Sequence, residues 1–240
     1  MSTEAIILAG GLGTRLRSVV ADIPKCMAPV AGNPFLYYVL EQLRGQGVDK
    51  FIFSLGYKHE QIEAWLNETY PLLFSQVAIE QEPLGTGGAI RLAASLASEK
   101  DVLVLNGDTL FSLDVQQLSR FHQHNKAACT LSLKPMQQFD RYGVVELDAT
   151  ARVSSFHEKK YYETGLINAG VYALNVAEFL QQPLPEKFSF EKDYLEKNFG
   201  QGNIFGLVQD AYFIDIGIPE DYERAQQELQ SFTPPDATGE

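Results

Sequence analysis

Near the start of the chain, three glycines, a threonine and an arginine stand close together in Leu8-Ala9-Gly10-Gly11-Leu12-Gly13-Thr14-Arg15-Leu16, with Lys25 a short way downstream. Glycines let a backbone turn sharply and approach a ligand closely, and the N–H groups of such a turn form an anion-binding concavity. Arg15 adds a planar fork of donors suited to phosphate. The chemistry of this stretch is the wrapping of a nucleoside triphosphate. Two carboxylates join it. Asp108 follows the apolar run Val102-Leu103-Val104-Leu105 through Asn106-Gly107, and Asp215 follows Tyr212-Phe213-Ile214 directly. Two carboxylates at adjacent strand ends can hold one Mg²⁺, which takes one or two carboxylates plus substrate phosphates. Singly, each aspartate is as readily a cap or a turn residue.

Other glycine motifs do not fit. A dinucleotide fingerprint needs a third glycine where Leu16 stands, and a Walker A loop needs Gly-Lys-Ser/Thr where Gly13 is followed by Thr14-Arg15. The second mismatch also argues against a P-loop kinase.

The elements that must position these residues alternate through the first half. Strands are expected at residues 5–8, 51–55, 77–79 and 102–105, and helices at 34–44, 59–68, 85–97 and 114–124, with Asp114 as an N-cap. Trp65 reads as a core anchor. The helix from residue 85 opens on Gly85-Thr86-Gly87-Gly88, so free N–H groups are expected at its start. The continuous apolar run 102–105 suits the middle of a parallel sheet. The second half changes to strands with short links at 130–133, 143–147, 153–156, 166–174, 204–208 and 212–214, with helices at 176–181, 190–199 and 219–229.

The expected fold is α/β: one Rossmann-like domain over residues 1–230, a mixed sheet with helices on both faces and a small β-rich acceptor-side extension. Its ligand crevice lies beyond the carboxyl ends of the strands. Residues 1–125 are expected to form the nucleotide half and 126–230 the acceptor half. Residues 231–240, with two prolines and no apolar period, read as a flexible tail.

Composition narrows the partners. The formal net charge of −12 argues against nucleic acid or an anionic membrane. Arg15, Arg17 and Lys25 are the source of local compensation for a phosphate ligand. No apolar stretch approaches the roughly 18 residues of a membrane span, and no basic n-region precedes a long h-region, so a cytoplasmic chain is expected. Cys26 and Cys129 are too few for a disulfide framework or a zinc site and are expected to be reduced thiols. The oligomeric state, monomer or homo-oligomer, is left open.

Taken together, the first glycine stretch, Lys25-Cys26-Met27-Ala28-Pro29-Val30, Pro83-Leu84-Gly85-Thr86-Gly87-Gly88-Ala89, Asn106-Gly107-Asp108, Tyr142-Gly143, Glu158-Lys159, Asn168-Ala169-Gly170 and Asp215-Ile216-Gly217 resemble the sugar-1-phosphate nucleotidylyltransferase family. The resemblance covers about residues 4–229 and implies a GT-A-like nucleotidyltransferase fold. Asp140-Arg141-Tyr142-Gly143, Lys187-Phe188-Ser189-Phe190-Glu191 and the stretch 212–222 are similar to the branch that uses GTP and D-glycero-α-D-manno-heptose 1-phosphate. Mannose or another hexose 1-phosphate is the alternative substrate, and a silent nucleotide-sugar-binding domain the alternative class; the retention of Arg15, Lys25, Asp108 and Asp215 speaks against the latter.

The resemblance implies roles. Leu8, Ala9, Gly10, Gly11, Gly13, Thr14 and Arg15 would bind the nucleotide, with Gly85 and Thr86. Arg15 and Lys25 would contact the reacting phosphates, and Asp108 and Asp215 would hold Mg²⁺. Gly143, Glu158, Asn168 and Gly170 would line the sugar pocket, with Lys159 on the sugar phosphate. The base-reading position falls on Glu80, with Gln81 or Glu82 as alternatives one or two residues on. A carboxylate there can accept both adjacent donors of guanine, which uracil and thymine lack. Two residues depart from the family pattern: Cys26 stands where proline is usual, and Ile218 where threonine is frequent.

The chemistry agrees with these roles. A sugar 1-phosphate, with a second pKa of about 6, is its own nucleophile at neutral pH. No general base is needed, consistent with four histidines (His59, His122, His124, His157) that form no triad-like pattern.

Overall fold

The computed structural model describes residues 3–11, 16, 20, 23–201 and 203–235. In chain order the strands are β1 (Thr3–Leu8), β2 (Pro29–Val30), β3 (Asn33–Pro34), β4 (Val48–Leu55), β5 (Phe74–Ile79), β6 (Asp101–Asn106), β7 (Thr109–Phe111), β8 (Cys129–Phe139), β9 (Val144–Leu147), β10 (Val153–His157), β11 (Tyr162–Asn175), β12 (Ile204–Val208) and β13 (Phe213–Asp215). The helices are α1 (Phe35–Arg44), α2 (His59–Thr69), α3 (Gly85–Ala94), α4 (Val115–Asn125), α5 (Val176–Leu180), α6 (Glu196–Asn198) and α7 (Pro219–Glu228), with a π-helical turn over Phe190–Leu195.

Ala5, Ile6 and Ile7 are fully buried, so β1 needs cover on both faces. Ala5 and Ile7 point into one core with α1, α2 and α7, whereas Ile6 joins Ile52, Val102 and Val104 in a second core under α3, α5 and the π-helical turn. This alternation puts helices on both faces, as expected. A nine-stranded mixed sheet runs β10-β9-β11-β6-β1-β4-β5, with β8 paired to β11 and β12 to β8. Strands β6, β1, β4 and β5 are mutually parallel. No described helix is long and apolar enough to cross a membrane.

The run at 102–105 is not in the middle of a parallel sheet. Strand β6 is parallel to β1 on one edge and antiparallel to β11 on the other. Its apolar continuity reports burial on both faces, which is indifferent to the neighbour's direction.

Strand β11 is the joint between body and extension. Ile167 pairs with Val144 of β9, but from Val171 onward the strand pairs with β6, and the register against β8 shifts between Asn168 and Tyr172. Gly170 sits inside the break at φ +73°, a conformation glycine adopts without strain. Beyond β6, the chain turns at Gly107-Asp108 into β7, which pairs antiparallel with β13. That short ribbon sets Asp215 opposite Thr109, one residue from Asp108.

Several local expectations are adjusted. Asp114 does cap α4, accepting from Gln117 N–H at 2.8 Å. Helix α3 ends at Ala94, and the amides of Ser98 and Glu99 instead bond the buried Glu4 carboxylate. Trp65 is only half-buried, edge-on to Tyr70. The 190–199 segment is wound wide at its start, where Phe190 and Tyr194 stack with ring centroids 5.1 Å apart. Residues 231–235, part of the expected tail, are tied down: Phe232 stands edge-on to Tyr38 at 5.2 Å, and Pro235 lies against Gly45. Phe232 is the apolar anchor that the composition of this segment hides; residues 236–240 lie outside the described residues.

Candidate active site

Lys25, Asp108 and Asp215 come together at the carboxyl ends of the central strands. Lys25 Nζ lies 2.5 Å from Asp108 Oδ2 and 3.6 Å from Asp215 Oδ1. Lys25 opens a single 3₁₀ turn, closed by Met27 N–H to Pro24 O and Ala28 N–H to Lys25 O. Cys26 in that turn is buried and free, so the position where the family has proline is filled by an apolar contact. Burial, and then Asp108, push the Cys26 thiol up to about 12, which keeps it protonated and unreactive.

Asp215 is held by Gly217 N–H at 2.8 Å, and Ile216 N–H donates to Asp108 O at 3.1 Å. Burial raises the Asp215 carboxyl above its usual range and Asp108 adds to this, against Lys25, the Gly217 amide and Arg141. Two carboxylates facing one ammonium leave an excess negative charge that is open to a cation. Ile218 occupies the N-cap of α7, which has no side-chain cap; Pro219 and the acidic Glu220 and Asp221 form its first turn.

Two clefts meet at this cluster. The first, of about 780 Å³, is lined by Leu8, Ala9, Gly10, Gly11, Lys25, Glu80, Gln81, Glu82, Gly85, Thr86 and Asp108, all named from the sequence. Gly13, Thr14 and Arg15 lie outside the described residues. Glu80 is half-buried, whereas Gln81 and Glu82 are exposed. One oxygen of Glu80 accepts from Leu84 N–H at 3.0 Å. The other would lie 2.6 Å from a Cβ on Gly10, so Gly10 is bare where that carboxylate stands.

The glycine run at the start of α3 also makes room for another part of the chain, and it commits one of the amides expected to be free. Gly87 N–H donates to Phe188 O at 3.0 Å and Leu84 O accepts from Phe188 N–H at 3.0 Å, so these groups are not free for a ligand. A Cβ on Gly85 would meet Phe188 O at 2.6 Å, and one on Gly87 would overlap the Phe188 ring. The glycines admit the returning chain. Thr86 still lines the cleft, but its hydroxyl donates to Glu191 at 3.0 Å and accepts from Phe190 N–H at 2.9 Å.

The second cleft, of about 390 Å³, is lined by Gly143, Glu158, Lys159, Asn168, Gly170 and Asp215, bringing all five sequence-named sugar-side residues together. Asn106 lines both clefts, and its side chain is the reason Gly170 is bare: a Cβ there would lie 2.6 Å from Asn106 Nδ2. Asn168 is fixed, donating to Tyr172 OH at 2.8 Å and accepting from Gly170 N–H at 3.1 Å. Sequence reasoning assigned no role to Tyr57 in the first cleft, or to Tyr142, Tyr172, Ser189, Glu191 and Lys192 in the second. Tyr142 and the stretch 187–191 were visible as motifs, but their proximity to the cleft depends on tertiary structure. Burial, and then Asp215, push the Tyr142 hydroxyl up to about 12; it accepts from Arg141, which is ion-paired with Asp221.

Residues 4–231 match the nucleotidyl transferase family. The chain is 52% identical over 229 residues to the D-glycero-alpha-D-manno-heptose 1-phosphate guanylyltransferase of Aneurinibacillus thermoaerophilus, covering 95% of this chain and 99% of that one. It is 44% identical over 219 residues to the Campylobacter jejuni protein of the same name, covering 91% and 96%. The crystal structure of HddC from Yersinia pseudotuberculosis superposes with a TM-score of 0.86 at 41% identity, over 95% of this chain and 99% of that one. The same protein complexed with GMP-PN gives 0.83 at 39% identity over the same shares. The chain belongs to the nucleotidyl transferase family.

Proposed function

We propose that the chain transfers the guanylyl group of GTP to D-glycero-α-D-manno-heptose 1-phosphate, giving the GDP-sugar and pyrophosphate. The observation that carries this reading is the meeting of two clefts at Lys25, Asp108 and Asp215, in a chain 52% identical to a guanylyltransferase acting on that sugar phosphate.

The first cleft takes the nucleotide. Leu8 to Gly11 follow its base and ribose, with Gly13, Thr14 and Arg15 continuing onto the phosphates. Glu80 accepts from guanine; of the three polar residues there, it is the one that is half-buried and pinned by a backbone amide. The second cleft takes the sugar phosphate on Gly143, Glu158, Lys159, Asn168 and Gly170. On this reading residues 1–125 and 126–230 act as nucleotide and sugar halves of one domain.

The sugar phosphate is the nucleophile. One of its oxygens forms a bond to the α-phosphorus of GTP while the bond from that phosphorus to the bridging oxygen breaks, and pyrophosphate leaves with the electron pair. Lys25 and Arg15 hold the reacting phosphates in line and offset the charge that develops. No side chain need move a proton. His59 is bonded to Glu63, His122 is buried against Thr130, His124 is exposed on α4, and His157 bonds Ser155 and Glu146.

Asp108 and Asp215 are the carboxylates that would hold a divalent cation, here Mg²⁺, which supplies charge neutralisation on the phosphates when bound. The residues fit such an ion. They are two part-exposed carboxylates, and among the described residues no group of three or more His, Cys, Asp or Glu side chains forms a closed cage. Mg²⁺ takes its remaining ligands from water and phosphate.

The test is pyrophosphate release in Mg²⁺, crossing GTP, ATP, CTP and UTP with heptose, mannose and glucose 1-phosphates. Release with GTP and the heptose phosphate is expected. Release with another pair moves the substrate assignment; none with any pair overturns the activity.

A further inference from the structure

The stretch 187–191 has no role in the chemistry above, yet it sends a carboxylate into the sugar cleft. Glu191 Oε2 accepts from Thr86 Oγ1 at 3.0 Å and from Ser189 Oγ at 3.2 Å. Thr86 Oγ1 itself accepts from Phe190 N–H at 2.9 Å, so its one proton is committed to Glu191. Among the described residues the other oxygen, Oε1, has one long hydrogen bond, from Tyr172 OH at 3.5 Å. Tyr172 OH also accepts from Asn168 Nδ2 at 2.8 Å. One carboxylate oxygen is therefore anchored, and the other keeps acceptor capacity to spare on a side chain that lines the cleft.

An anion in a cleft that admits a phosphate dianion needs an explanation, because like charges repel. A carboxylate only accepts hydrogen bonds, and a phosphate dianion has no proton to donate, whereas each hydroxyl of a sugar has one. Glu191 is matched to the hydroxyls of the acceptor and mismatched to its phosphate.

We propose that Glu191 is a specificity-determining residue that accepts a hydrogen bond from one hydroxyl of the sugar, and that Thr86, on the rim of the nucleotide cleft, is the positioning residue that fixes it. The proposal rests on the sugar-phosphate reading of the second cleft. It also links the clefts, because the helix that borders the nucleotide holds the residue that reads the sugar.

The experiment uses the full chain and its Glu191→Gln, Thr86→Val and Thr86→Ser variants, with GTP, D-glycero-α-D-manno-heptose 1-phosphate and the monodeoxy analogues of that sugar phosphate. The Glu191→Gln variant is expected to raise the KM for sugar phosphate about 10- to 100-fold, the range for a hydrogen bond to a charged group, with the KM for GTP unchanged. The parent chain should reject one deoxy analogue, and Glu191→Gln should lose that discrimination, which a merely structural role would leave intact. Thr86→Val should reproduce part of the loss and Thr86→Ser restore it. An equal rise in both KM values, or retained deoxy discrimination in Glu191→Gln, would overturn the proposal. If the parent chain releases no pyrophosphate, the parent reading has failed. Calorimetric binding of the same sugar phosphates to the parent and Glu191→Gln chains then decides the proposal: lost discrimination supports it and retained discrimination overturns it.

Discussion

The two clefts are built by different means. The first is lined mainly by two short runs at the ends of β1 and β5, Leu8 to Gly11 and Glu80 to Pro83, with Gly85 and Thr86 at the start of α3. Gly10 in the first of these runs is bare because Glu80 stands where its side chain would be. The second is assembled from more elements, with residues from β9, β10, β11, the π-helical turn and β13 between Val144 and Asp215. A cleft assembled from many elements can be re-aimed one residue at a time, and on the proposed function that is where discrimination among sugars belongs.

Substitutions at the junction, which serves both clefts, should have the largest effect. Asp215→Ala, and likewise Lys25→Met, is expected to lower kcat about 100- to 1000-fold or more, the loss typical of removing one charge-stabilising group. Pyrophosphate release checks it, and near-UV circular dichroism confirms that the fold persists. Full activity in Asp215→Ala would detach the carboxylate pair from the chemistry.

Next come changes confined to the first cleft. Glu80→Gln should cut the preference for GTP over UTP by about 10-fold or more, the worth of a hydrogen bond to a charged group. Its KM for the sugar phosphate should not move; if the preference survives, Glu80 is not the base reader. Gly10→Ala puts a methyl where Glu80 Oε1 stands, 2.6 Å away. It should raise the KM for GTP in the same direction by a smaller factor, since the carboxylate can swing aside. Paired with Glu80→Gln, the two effects should be less than additive.

The smallest effect concerns pH and stability. The Asp215 carboxyl is raised in the folded chain by burial and by Asp108. Its stabilising contribution is fully present below the unfolded pKa and is lost as pH rises through the folded one. In metal-free buffer at neutral pH, Asp215→Asn should therefore melt slightly higher than the parent, although it is inactive. The difference should close as the pH falls below the folded pKa. A lower melting temperature at neutral pH would mean that the carboxylate is net stabilising there.

The first half of the fold was legible because each element has a local cause: apolar runs for β1, β4 and β6, Pro34 at the start of α1, and Asp114 capping α4. The direction of the strand beside β6 was not, because burial on both faces looks the same for either direction. The glycines of Gly85-Thr86-Gly87-Gly88 were legible as a need for space, but what fills that space, Phe188, comes from a hundred residues away. Phe232 looked like part of a loose end until Tyr38 was there to receive it.

By itself the sequence determined the apolar runs that become β1, β4 and β6 and the order of motifs that marks the family, since burial preference and side-chain chemistry are properties of residues in their local context. Only the tertiary structure decided that Lys25 lies between Asp108 and Asp215, that the Thr86 hydroxyl bonds Glu191, and that Glu191 lines the second cleft. Those are distances between side chains far apart in the chain. They are set by how β7, β13 and the π-helical turn dock on the sheet, a geometry that no local pattern encodes.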